Sequence, residues 1–359
     1  MVSPKLHIAH SRWSEENHFK SSNDDPTPCL LPSTFYSTLQ YDSNSEETLF
    51  EFVFLGTSAS APSIHRGLSA HLVKHNEHRF LVDCGEGTQR QILKSGLGFK
   101  RLNHILLTHG HLDHILGLAG LFSTLTRWET LEDVEILAGA WTLERVDALL
   151  YGVRVIGKGE SPVKVTLRAI DPGVIFKADD FQVRAFPVYH RGPDCYGFVF
   201  EEKAHRPFLP EKAEALGVPL GPLRRQLVDG ETIKLESGKA VKPDEVLGET
   251  VPGAKLVHVG DTGRTEDILE HAHNADALVI EATYLEEERE MAKEFAHLTA
   301  RQGAELAKEA GVGQLILTHI SRRYRESDVL VEAQAIFPKV AVARDFDAYQ
   351  IKRGHVTKL

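Results

Sequence analysis

Short apolar runs separated by polar, turn-forming residues recur along most of the chain, and their period changes from strand-like to helix-like on the way. Leu49–Leu55 (LFEFVFL) predicts a buried strand, and Gly56–Ser60 a small-residue loop that lets a ligand come close to the backbone. Residues 69–74 and 79–83 predict a hairpin turning at Asn76-Glu77, with a helix from Thr88 to about Leu93. Ile105–Leu107 predicts a strand that runs into a polar loop and then a helix ending near 125. Val134–Leu137, Lys164–Ala169, Phe181–Pro187 and Tyr196–Glu201 predict further strands. From 203 to 253 the texture turns proline- and glycine-rich, as in an insertion standing off the core, with a hairpin at Glu236–Lys239. Regular pattern resumes with strand Ala254–Val259, helix 265–273, strand Ala277–Glu281, a charged helix over 285–295, an alanine-rich helix over 299–310 and strand Gln314–Thr318. Paired strands early and strand–helix alternation late imply a layered α/β protein, with sheets inside and helices outside.

The ends differ from this body. Residues 1–48 are polar and rich in turn formers, so they read as an N-terminal extension whose His7, His10 and His18 are solvated. The domain is expected to run from 49 to 350, leaving 351–359 as a C-terminal tail.

Charge and cysteine usage narrow the setting. Forty-one basic and 51 acidic residues leave a net charge of −10, which argues against a generic nucleic-acid coat but not against local basic contacts around a cleft. Cys29, Cys84 and Cys195 are widely spaced and form no CxxC, which fits a reducing compartment. No apolar signal core appears in residues 1–30 and no run is long enough to cross a membrane, so the expectation is a cytoplasmic protein without membrane contact.

The chemistry concentrates in His104–Leu118, HILLTHGHLDHILGL. His109, His111, Asp113 and His114 form HxHxDH directly after an apolar strand. A packed core tolerates one satisfied histidine; three beside a carboxylate point to a metal that takes up their lone pairs. His190, Asp261 and His319 each follow an apolar strand as well. Alone, either histidine could be a core residue and Asp261 an Asx turn. Their repeated placement at strand ends, where layered α/β proteins gather functional groups, joins them to the same site.

HxHxDH followed by a later His, Asp and His resembles the metallo-β-lactamase superfamily. That resemblance implies an αββα sandwich with a dinuclear metal site. His109, His111 and His190 would bind one ion, Asp113, His114 and His319 the other, and Asp261 would bridge them. The nitrogen and oxygen donors suit two zinc ions per chain, and manganese or iron would accept them. Asp83 is a candidate partner that fixes the tautomer of a ligand histidine. Within the superfamily, FLGTSASAP at 54–62, VDCGEGTQRQ at 82–91, HRGPDCYGFVFEEK at 190–203, GDT at 260–262, EAT at 281–283, HLT at 297–299 and LTHISRRY at 317–324 resemble the ribonuclease Z family.

The resemblance implies hydrolysis of a phosphodiester in a tRNA precursor, removing the 3′ trailer and leaving a 3′-hydroxyl. Asp113 would be ligand and proton acceptor, His297 would assist the leaving oxygen, and Glu281 would orient or charge-tune His297. The insertion at 203–253 lies where bacterial members carry a protruding tRNA-binding arm. Gly221-Pro222 matches the arm's Gly-Pro feature, and Arg224 and Arg225 would meet phosphates, with Arg66 and Arg323 as further RNA contacts. In the family the arm of one subunit serves the other subunit's site, which implies a homodimer. Pro62–Gly67 keeps the Pro and Arg of the family loop but loses its Lys and Asn. That departure keeps open a hydrolase of the same fold acting on a small phosphodiester, sulfate or lactone. A non-catalytic RNA-binding scaffold is the third reading, and the full ligand set argues against it.

Overall fold

Phe50, Phe52 and Phe54 alternate with outward-facing residues, and this period of two sends all three rings into one interior layer while Val53 and Leu55 face the opposite side. The computed structural model describes residues 49–128, 131–153 and 163–359; the expected N-terminal extension lies outside them. In chain order the first half forms β1 (Phe50–Gly56), β2 (Ala70–His75), β3 (His78–Val82), α1 (Thr88–Ser95), β4 (His104–Leu106), α2 (Leu112–Ile115), α3 (Gly117–Trp128), β5 (Asp133–Ala138), α4 (Ala140–Gly152), β6 (Lys164–Ala169), β7 (Gly173–Lys177), β8 (Phe181–Pro187) and β9 (Tyr196–Glu202). The insertion holds α5 (Pro210–Ala215), α6 (Pro222–Val228), β10 (Ile233–Lys234), β11 (Ala240–Val241) and α7 (Pro243–Val246). The remainder forms β12 (Lys255–His258), α8 (Glu266–Ala272), β13 (Ala277–Glu281), α9 (Arg289–Phe295), α10 (Ala300–Glu309), β14 (Gln314–Thr318), α11 (Glu326–Gln334), β15 (Val340–Val342), β16 (Ala348–Lys352) and β17 (His355–Lys358).

Two sheets stack face to face. Among the described residues one has eight strands in the order β17-β16-β1-β2-β3-β4-β5-β6, the other seven in the order β15-β14-β13-β12-β9-β8-β7. Phenylalanines 50, 52, 54, 80, 181, 198 and 200 fill the space between them. The outer face of the first sheet is covered by α1, α3 and α4 through Ile92, Leu118, Phe122 and Val146. The outer face of the second is covered by α8, α10 and α11 through Ile268, Ala304, Leu306 and Val329. This is an αββα sandwich.

Sheet polarity places the site. β3 and β4 run parallel, as do β12, β13 and β14, and β8 and β12 are both antiparallel to β9. The carboxyl ends of β8, β12, β13 and β14 therefore open on one rim of their sheet, as those of β3 and β4 do on theirs.

Several elements depart from the sequence reading. Residues 351–359, expected as a tail, belong to the sheet: β16 pairs with β1 and β17 with β16. The reason is burial, since Tyr349 and Ile351 alternate inward and supply the partner that the free edge of β1 needs. The charged segment 285–295 starts as a 3₁₀ turn at Glu286–Glu288 and becomes helical at Arg289. Strand β7 and helices α4 and α11 add to the expected elements. Residues 203–253 contain a hydrophobic cluster of their own, built from Ala213, Val218, Leu227, Ile233, Val241 and Val246.

Candidate metal centre

The chain leaves β4 through Thr108 and at once presents His109 and His111, while the short helix α2 carries Asp113 and His114. Gly85 and Gly117 permit this packing: a Cβ on Gly85 would lie 2.4 Å from the Asp113 carbonyl oxygen, and one on Gly117 2.0 Å from that of Gly85. β8, β12 and β14 deliver His190, Asp261 and His319 to the same place. Asp83, Ala296 and His319 all hold positive φ, between 53° and 59°, so non-glycine backbone strain collects around the site.

The donors form two groups that share Asp261: His109, His111, His190 and Asp261, and Asp113, His114, Asp261 and His319. Ligand atoms about 2.0–2.1 Å from a tetrahedral ion stand about 3.3 Å apart. In the first group His111 Nδ1 lies 3.0 Å from His109 Nε2 and 3.2 Å from His190 Nε2, and Asp261 Oδ2 is 3.7 Å from both His109 and His190. In the second, His114 Nε2 is 3.5 Å from Asp261 and 3.8 Å from Asp113, and His319 Nε2 is 3.3 Å from Asp261 and 3.6 Å from Asp113. The buried atoms His114 Nε2, His319 Nε2 and Asp261 Oδ1 have no hydrogen-bond partner among the described residues. A buried polar atom left unpaired is costly, so spacing and orphaned donors together fit bound cations.

Partners outside the clusters aim the rings. His114 Nδ1 is 2.8 Å from Asp83 Oδ2, and Asp83 also accepts the Thr108 backbone N–H and hydroxyl. His109 Nδ1 meets the Thr108 hydroxyl at 3.0 Å, His190 Nδ1 the Ala296 carbonyl at 2.7 Å, and His319 Nδ1 the Thr283 hydroxyl at 2.9 Å. Ser60 N–H donates to Asp113 Oδ2 at 3.1 Å. Thr108, Thr283, Ala296 and Ser60 are contributions that motif reading does not single out, although the quoted motifs contain Thr108, Thr283 and Ser60.

The protonation states of five of the donors suit cation binding. Burial lowers His109 and His190 and brings His111 down to about 4, which leaves their nitrogens free to ligate. Burial alone would raise Asp113 and Asp261, but the surrounding histidines outweigh it and hold both below the usual carboxylate range. His114 goes the other way, because Asp261 and Asp83 overcome its burial and raise it.

Beside the clusters, His297 Nδ1 sits 2.9 Å from Glu281 Oε1. Burial opposes charge on His297, yet Glu281 prevails and lifts it to about 9. Glu281 is fully buried and also accepts the N–H of Thr262, next to Asp261.

The expected RNA contacts are placed differently from the metal donors. Arg66 turns inward: its guanidinium donates to the Thr57 hydroxyl and the Ala343 carbonyl, both at 2.6 Å, and to Glu326 at 3.0 Å. Arg224 is also largely buried, bonding the Val218 carbonyl and lying against Phe208. Neither guanidinium is presented to solvent as a phosphate contact requires. Arg225 is 77% exposed beside Asp229, and Arg323 is half exposed beside Glu288. Gly221, at φ 120°, precedes Pro222 at the start of α6.

Residues 50–207 match the family model described as Anti-Pycsar protein Apyc1, and residues 227–320 that of the beta-lactamase superfamily domain. The metallo-beta-lactamase fold protein YhfI from Bacillus subtilis superposes with a TM-score of 0.60 at 17% identity, covering 84% of this chain and 99% of that one. The short form of human tRNase Z gives 0.57 at 25% identity, covering 83% and 98%. Fold and donor clusters together define a metal-dependent hydrolase of the metallo-β-lactamase fold. Ribonuclease Z of Bradyrhizobium diazoefficiens is 46% identical over 299 residues, which cover 83% of this chain and 99% of that protein. Ribonuclease Z of Archaeoglobus fulgidus is 38% identical over 306 residues, covering 84% and 98%. The chain belongs to the ribonuclease Z family.

Proposed function

We propose that this chain is an endoribonuclease that removes the 3′ trailer from tRNA precursors, acting in the cytoplasm as a homodimer with two zinc ions per chain. Manganese or iron would accept the same donors. The observation that carries this reading is the sharing of Asp261 between two four-donor groups with the Glu281–His297 pair beside them. His109, His111 and His190 would hold one ion and Asp113, His114 and His319 the other.

Two bound cations would supply an activated water and neutralise charge on the phosphoryl oxygens. Asp113, fixed by Ser60 N–H, accepts the proton of the attacking water. His297, kept protonated by Glu281 through Nδ1, has Nε2 for the leaving 3′ oxygen. Asp83 and Thr108 hold the rings of His114 and His109 in the tautomers that ligate. The insertion, with Gly221, Pro222 and the exposed Arg225, would hold the body of the tRNA, and Arg323 a further phosphate.

The test is to map cleavage of a trailer-bearing tRNA precursor, with and without an encoded CCA, by the zinc- and manganese-loaded chain. Trailer release with a 3′-hydroxyl on the tRNA is expected; an intact precursor refutes the reading. A small phosphodiester, sulfate or lactone as substrate is the second reading. The inward turn of Arg66 favours it, since that arginine gives the 62–67 loop no free guanidinium for RNA.

A further inference from the structure

Aromatic rings and guanidinium groups meet on the segments around the donor clusters. Tyr189, immediately before His190, is 52% exposed, and the Arg264 guanidinium lies 4.8 Å from its ring centre. Phe295, two residues before His297, is 37% exposed and carries Arg191 at 5.6 Å. Trp141 holds Arg145 at 5.0 Å, and its ring edge lies against the backbone of Gly110 and Gly192. Hydrogen bonds tie these segments together: Gly263 N–H donates to the Tyr189 carbonyl at 2.7 Å, and the Ala296 carbonyl meets His190 Nδ1.

Of the guanidiniums over Tyr189 and Phe295, that of Arg264 also pairs with Asp267 at 2.6 Å. Arg191 is exposed and has no ion-pair partner among the described residues. It directly follows His190 in the chain and lies over Phe295, two residues before His297. In a chain of net charge −10, an unpaired cation kept beside a metal centre matches an anionic ligand. A ring with a guanidinium over it is in turn a flat surface on which an unstacked base can stack.

We propose that Tyr189, Arg264, Phe295 and Arg191 form a binding site for the unpaired nucleotides flanking the scissile phosphodiester. Arg191 takes the neighbouring phosphate, and the Tyr189–Arg264 pair stacks the adjacent base. This rests on the RNA-cleaving reading and adds to it the part of the chain that grips the single strand at the cut.

The experiment compares kcat/KM on a trailer-bearing precursor with turnover of bis(p-nitrophenyl) phosphate, which has no flanking nucleotide. Tyr189→Ala and Arg191→Gln should each lose about tenfold more on the precursor than on the small ester, chiefly through KM. Tyr189→Phe, which keeps the ring, should recover most of the loss. Abasic nucleotides beside the cut should cost the unaltered chain a similar factor and cost Tyr189→Ala little more. Equal losses on both substrates, or abasic and Tyr189→Ala losses that multiply, overturn the site. If the unaltered chain cuts the precursor and the variants cut it equally well, this site alone falls. If it turns over the ester and leaves the precursor intact, the RNA reading falls and takes the site with it.

Discussion

Glu281 and His297 form a buried ion pair, Oε1 to Nδ1 at 2.9 Å, and the same carboxylate oxygen accepts the N–H of Thr262 beside Asp261. Glu281 lifts His297 against the pull of burial, to about 9, so the imidazole carries its proton through neutral pH. A general acid in that state loses activity as pH rises through its pKa. Glu281→Gln should therefore move the alkaline limb of the rate profile to lower pH, which a kcat profile from pH 6 to 10 would record. The stability sign follows the same group. A folded-state pKa above the unfolded value of about 6.5 gives stabilisation that is complete below it and lost as pH rises through about 9. Melting curves of the metal-free chain should show that decline between the two values, and Glu281→Gln should flatten it.

Asp83→Asn isolates the outer partner of His114. Asparagine keeps the side-chain shape and tolerates the positive φ of 59° at this position, but it loses the charge that faces His114 Nδ1 at 2.8 Å. Metal affinity should fall by about 10–100-fold, measured by competition with a chromophoric chelator. An unchanged affinity would reduce Asp83 to a strand-end turn.

Asp261 is common to both donor groups, so its loss should be felt twice. Asp261→Ala should bind well under the metal content of the parent by elemental analysis, whereas His190→Ala should chiefly lose one ion. Chelation of the parent should lower its stability by about 2.7 kcal/mol for each ion present at a hundredfold over its Kd. A melting temperature indifferent to chelator would argue that the orphaned nitrogens of His114 and His319 hold no cation.

How legible the chain is depends on whether function lies in local spacing or in distant contact. The strands ending at His109, His190, Asp261 and His319 are visible because each apolar run stops at a polar residue, and the sandwich follows from their order. Helix α4 was readable in principle, since Thr142, Leu143, Val146 and Leu150 recur at helical spacing and are buried, but three polar residues dilute the pattern. The C-terminal hairpin was not readable: its short strands have mixed burial, and only pairing with β1, some 300 residues earlier, gives them a partner. Arg66 shows the same limit at a side chain. Beside a ligand loop an arginine looks like a phosphate contact, and nothing nearby in sequence announces Ala343 or Glu326.

That placement makes Arg66→Ala a stability variant. It removes charge-assisted bonds to Thr57 within the β1–β2 loop, to Ala343 just past β15 and to Glu326 at the start of α11. A loss of about 2 kcal/mol is expected in urea unfolding. Cleavage of precursor and of small ester should fall by similar factors, because the loop also carries Ser60, whose N–H holds Asp113. A loss confined to the precursor, with unchanged urea midpoint, would return Arg66 to the RNA contacts.

The insertion can be removed as a unit. At its two ends Glu202 N–H donates to the Ala254 carbonyl and Ala254 N–H to the Glu202 carboxylate, both at 2.9 Å, so a short glycine-serine link from Lys203 to Gly253 closes the gap. Its apolar residues form their own cluster, so deleting 204–252 exposes little of the sandwich core. The shortened chain should still melt cooperatively and bind metal. Its precursor cleavage should fall by about two orders of magnitude more than its turnover of bis(p-nitrophenyl) phosphate, because phosphate contacts on the tRNA body dominate affinity. Raising the salt should also slow the parent on the precursor more steeply than it slows the shortened chain. Equal losses on both substrates would mean that 204–252 supports the metal centre itself, and the small-ester reading would then gain the ground that the RNA reading loses.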